Sequence, residues 1–142
     1  MANAAFNRFK SGIQLADYDL LVASIKASLV RSYTFSAAHQ TVADVTGAGG
    51  VLNGTTPALV NPTMTNGVFD ADDSSVSATA SAVNHGLLVY QSSAVTGGAD
   101  VAANLQLLIA YFDVGTGLPI QPGTGTVNIV WNAGASKILA VT

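Results

Sequence analysis

The chain has 142 residues, of which 49% are hydrophobic and only 9% charged, with eight Asp, no Glu, five Lys or Arg and a net charge of −3. That length suits one domain, residues 1–142, able to bury about two-thirds of its unfolded surface. The absence of Cys excludes disulfides, thiolate metal sites and thiol catalysis. Five scattered bases supply no basic stripe for phosphate, which argues against nucleic-acid binding. No apolar run reaches the ~18 residues of a membrane-spanning helix. Ordinary soluble domains are about a quarter charged, so much of this surface must be Ser, Thr, Asn, Gly and Ala. Such a surface lacks the charges that hold monomers apart, and a large part of it is expected to meet a partner. The N-terminal MANAAFNRFKSG has no apolar signal-peptide core, so the expectation is a soluble chain made in the cytoplasm.

In chain order, residues 2–10 offer Asn3 as an N-cap, Phe6 and Phe9 on one side and Gly12 as a stop, which predicts at most two helical turns. In residues 24–30, Ile25, Ala27 and Leu29 alternate with Ser24, Lys26 and Ser28, the period of a strand. YTFSAAHQTVADV, residues 33–45, begins extended and becomes a possible helical turn capped by Ser36. Gly, Pro and Asn then punctuate the chain, predicting short strands at 50–52, 58–60, 68–70 and 75–79. Asn66-Gly67 is the best hairpin turn signal in the sequence. HGLLVYQS, residues 85–92, is apolar enough for a buried strand.

The stretch 105–141 holds four β-type runs, at 105–112, 118–120, 126–131 and 137–141, separated by VGTG, QPGTG and NAGAS. Their close spacing predicts an antiparallel meander, since parallel units need crossovers of a dozen residues or more. Within it Thr126, Asn128 and Val130 alternate with Val127, Ile129 and Trp131, so the face carrying the single Trp should be core. The fold class is therefore all-β, an antiparallel β-sandwich or barrel with a short N-terminal helical turn or arm, its jelly-roll or Ig-like topology left open by pattern alone.

Chemistry-bearing residues are sparse. Asp70, Asp72 and Asp73 in FDADDSS come closest to a hard-cation site, because Ca²⁺ wants several carboxylate oxygens on one loop. The loop lacks the Gly and Glu of the EF-hand template, and a solvated turn explains it without a metal. His39 and His85 are the only imidazoles, and Ser36 lies three residues before His39, but no glycine-flanked nucleophile or metal-binding His pair accompanies them. The Gly-rich runs lack GK[ST] and a following long helix, so they read as turns. The four Tyr and Trp131 are too dispersed for a sugar platform and should be mostly core or interface anchors. No cofactor and no catalytic residue is expected.

Several segments are more specific together than apart. LLIAYFDVGTGLPIQPGTGTVNIVWNAGASKILAV, the start MANA, SIKASLVRSYTFSAAHQTVADV, and NGVFDADDSSVSATA before HGLLVYQ occur in this order along nearly the whole chain. In that ordered combination the sequence resembles a family of small tailed-bacteriophage virion proteins. The resemblance implies a capsid decoration, or cement, protein on the outside of an icosahedral head, typically trimeric at three-fold or quasi-three-fold positions. It implies the major capsid protein and sister subunits as partners, with neither nucleic acid nor membrane. The family has no catalytic residues to carry over, and this chain departs from it in its poverty of charge.

Under that reading, residues 1–19, bearing Phe6, Arg8, Phe9 and Lys10, are a candidate arm reaching a capsid or sister subunit. Leu118, between VGTG and QPGTG, is a candidate contact tip. The alternatives are a tail, neck or fibre-attachment component of the virion and, from another class, a carbohydrate or host-surface binding module.

Overall fold

The computed structural model describes residues 3–13, 15, 17–79, 83–135 and 137–140. The described residues are mostly β, with 38% in strands and 9% in helices, and every strand pairing among them is antiparallel. In order, the described elements are β1 (Ala4–Ala5), α1 (Asn7–Gly12), β2 (Ser24–Arg31), α2 (Val42–Gly47), β3 (Val51–Thr55), β4 (Thr63–Thr65), β5 (Val68–Asp70), β6 (Ser74–Ala78), β7 (Gly86–Ser93), β8 (Leu107–Phe112), β9 (Gly125–Ile129) and β10 (Leu139–Ala140). They form a five-stranded sheet ordered β1-β8-β7-β2-β3, a three-stranded sheet β10-β5-β4 and a two-stranded sheet β6-β9.

The large sheet is buried on both faces, so β7 is buried at every position, its apolar run 87–90 followed by the buried polar Gln91, Ser92 and Ser93. Alternation along β2 and β7 sends Ile25, Ala27, Leu29, Leu87 and Val89 to one face and Val30, Leu88 and Tyr90 to the other. The first face packs on Phe69, Val76 and Ile129 of the two smaller sheets and on Ile138 just before β10, which makes the sandwich. The second is covered by Phe6, Tyr33 and the α2 residues Val42 and Val45.

Asn66-Gly67 makes the expected hairpin: Thr65 pairs Val68 across a two-residue loop in which both residues have positive φ, 51° and 76°. That combination matches the right-handed twist of the flanking strands. Residues 58–60 form no strand; the segment lies beside β2, with the Thr56 and Leu59 amides donating to the Ala27 and Ile25 carbonyls.

The meander is corrected. β8 pairs β7 and β1, β9 pairs β6, and β10 pairs β5, so strands adjacent in sequence lie in three different sheets. The connection from Phe112 to Gly125 is long enough to leave one sheet and join another, which the close spacing of its turn signals concealed. Residues 118–120 form no strand; Ile120 makes one isolated bridge to Asn84. The last residue of the expected 137–141 strand lies outside the described residues.

Both helices start elsewhere than expected. α1 begins after Phe6, while the Asn3 side chain accepts the Asp113 and Val114 amides at 3.0 and 2.9 Å. Residue 2 of the predicted helix is outside the described residues. α2 is capped by Thr41 and not Ser36. The Asp44 carboxylate accepts the Gln40 and Thr41 amides, both at 2.8 Å, and these bonds hold its carboxyl below the usual value.

The N-terminal segment is not a free arm. β1 pairs β8, with Ala4 opposite Tyr111, and α1 follows along the same edge. Phe6 and Phe9 do not share a side: Phe6 is still extended and enters the α2-side core, whereas Phe9, inside the helix, enters the sandwich core against Tyr18. The segment thus wraps the sheet edge. Tyr18 completes the wrap by donating its hydroxyl to the Leu108 carbonyl at 2.9 Å, and burial pushes its phenol up to about 12.

Candidate interface groove

A concavity of about 840 Å³ opens where the three sheets meet. Its floor is the sandwich face of the large sheet, at Leu29, Leu87, Ala110 and Phe112. One wall is residues 127–132, the other residues 137–140, and the loop 114–118 closes one end. Asn3 roots that loop, since its side chain both accepts the Val114 amide and donates to the Val114 carbonyl at 2.9 Å.

The Asp-rich turn braces these walls. The Trp131 backbone N–H donates to Asp73 Oδ1 at 2.9 Å, and its indole Nε1–H donates to the Asp72 carbonyl at 3.1 Å. Lys137 Nζ stands 3.5 Å from Asp70 Oδ2, and Asp72 Oδ2 accepts from Asn61 Nδ2 at 2.8 Å. The three carboxylates therefore address three different partners and do not converge, and among the described residues no cluster of three His, Cys, Asp or Glu could hold a metal.

Asp73→Ala is expected to cost about 1 kcal/mol and to shift the emission of the single Trp to the red, because it frees the Trp131 backbone. Chelator should leave both the emission and the melting temperature unchanged. A red shift on adding EDTA would instead mean that a cation holds the turn.

The other expected site residues lie apart. Phe6 and Phe9 are 0% and 2% exposed, so in this fold they are core and not contact surface. Arg8 ties α1 down, donating from Nη1 to Gln40 Oε1 at 3.0 Å and standing 4.0 Å from Asp17. Leu118 borders the groove at its closed end.

His39 Nδ1 bonds the Tyr33 hydroxyl at 2.9 Å, and Ser36 meets that hydroxyl through its backbone amide, so the Ser36–His39 spacing makes no nucleophile–base pair. His85 is exposed beside a smaller hollow of about 350 Å³ that also includes Phe35, Tyr111 and Asp113. Burial pushes the Tyr111 phenol there up to about 12. The expected core placement of the tyrosines holds, with all four buried, while Trp131 is half-buried.

The residue that sequence reasoning missed is Val130. It is the one apolar side chain on the outward Thr126, Asn128, Val130 face, and it is 73% exposed on the groove rim. An aliphatic residue on the polar side of an alternating strand was the available signal. Among the described residues no helix is long and apolar enough to cross a membrane. No protein-family model, no curated protein and no solved structure matches the chain.

Proposed function

We propose that the protein is a structural component of a tailed-phage virion that binds the outer surface of the icosahedral capsid and stabilises it as a cement, working by binding alone. The observation that carries this reading is the ordered set of segments, from MANA through NGVFDADDSSVSATA to the Trp-bearing C-terminal stretch, that resembles small phage virion proteins. Its partners in this reading are the major capsid protein and two sister copies in a homotrimer, and its place is the capsid exterior.

The physical chemistry is compatible. A lattice binder multiplies modest contacts by copy number, and a chain with only 9% charged residues makes contacts that salt screens little. Exposed aliphatic side chains, among them Val130, Val114 and Leu105, supply apolar contact area.

The test is to mix the purified chain with phage shells that lack it, then measure co-sedimentation, copy number and the shells' resistance to heat. Saturation at hundreds of copies with a raised disruption temperature is the expected result. Saturation at about a dozen copies or fewer would place it at a unique vertex, as a neck or tail component built on ring symmetry. No binding would end the virion-surface reading.

A further inference from the structure

We infer that the groove binds an extended, uncharged segment of a partner polypeptide as an added β-strand on the free edge of β9. Residues 127–129 of β9 and 130–132 just after it border the groove, as do residues 137–140, the last two of which are β10. Successive side chains of a strand point to opposite faces. A strand that borders a space with consecutive residues therefore turns its backbone edge to it. β9 and β10 are each the outermost strand of their sheets, so both face the groove with edges left unpaired among the described residues. Unpaired amides and carbonyls along an edge are a template for another polypeptide backbone.

Among the described strands β9 is also an unguarded edge. Exposed edges are ordinarily blunted by shortness, charge or proline. β1 and β10 span two residues each and β4 three. β3 is tied to the β6 side by Asn53, whose side chain accepts the Thr79 amide at 3.1 Å and donates to its carbonyl at 3.2 Å. β9 spans five residues, GTVNI, with no charge and no proline.

Charge selects the occupant. Lys137 is the one charged residue in the groove lining, and Asp70 already neutralises it. Acidic and basic segments therefore find no counter-charge, while an uncharged strand loses none. Val130 and Val114, 73% and 57% exposed, stand on the rim where alternate side chains of such a strand would rest.

The inference rests on the reading above, which makes the partner a capsid subunit. The experiment is amide hydrogen exchange on the full chain, free and bound to shells that lack it. Exchange across residues 125–130 should slow at least tenfold on the shells. Val130→Lys should weaken shell binding at least tenfold, while Val60→Lys, at a position 57% exposed outside the groove, should not.

Binding with unchanged exchange at 125–130, or equal loss from both variants, overturns the groove inference and leaves the lattice reading standing. No binding by the unaltered chain overturns both. Slowed exchange in the free protein at high concentration, with an oligomer in sedimentation, makes a second copy the occupant and overturns the inference.

Discussion

Replacing Phe6 or Phe9 by Ala is expected to lower the stability of the isolated chain by about 3–5 kcal/mol each. Both rings are almost wholly buried, at 0% and 2% exposure, and each closes a different core. Phe6 packs against Phe35 at a ring separation of 5.0 Å, and Phe9 meets the edge of Tyr18 at 5.1 Å and 83°. Such aromatic pairs add to the area they remove from water. Domains of this size are stable by about 5–15 kcal/mol, so either change removes a large share of the total.

Urea denaturation followed by Trp131 emission measures the loss. Lys10→Ala, at an exposed position on the same helix, should stay within about 0.5 kcal/mol. A free arm makes the opposite prediction: with its aromatic residues reserved for a partner, truncating them would leave the isolated chain's stability untouched and reduce only binding. Two variants and one control therefore separate an N-terminal segment that wraps the sheet edge from one that reaches away.

What the sequence made legible was whatever is written locally. Ile25, Ala27 and Leu29 announced β2 by alternation, LLVY announced β7 by being apolar throughout, and Asn66-Gly67 specified its turn because two consecutive positive-φ positions suit few residue pairs. Strand partnership is not local. β9 pairs β6, about fifty residues earlier, through backbone groups that every residue carries, so nothing in TVNI names SSVS as its neighbour.

The same limit hid the roles of single side chains. Asn3 reads as a helix cap because a short amide caps helices, and only the proximity of residues 113–114 shows that it caps a distant loop. Asp70, Asp72 and Asp73 read as an oxygen cluster because spacing along the chain does not say which way each side chain turns. The groove was half legible. Leu118 stood out as a loop tip, whereas the β9 edge depends on where sheets end, a property of topology and not of sequence pattern.

Gly86→Ala is expected to destabilise the fold by about 3 kcal/mol, at the upper end of ordinary overpacking. Gly86 opens β7, opposite Val30 on one side and next to β8 on the other. A Cβ there would lie 2.5 Å from both the Tyr111 ring Cζ and its hydroxyl, and 2.7 Å from the Phe112 carbonyl oxygen. The carbonyl belongs to the neighbouring strand and moves only with it. The Tyr111 ring is held at an edge-on contact to Tyr33, 5.2 Å away, and stacks at 11° on Phe35. Neither neighbour can yield without disturbing the α2-side core, so one methyl group forces β7 and β8 apart where both are buried. Gly47→Ala at the end of α2, where a Cβ would meet nothing within 4 Å, should instead be neutral or stabilise by up to about 1 kcal/mol by restricting the unfolded chain. Opposite signs for the same substitution, read from urea midpoints at equal m-values, would tie the cost at Gly86 to the Tyr111 contact. Equal effects at the two positions would locate it in backbone freedom.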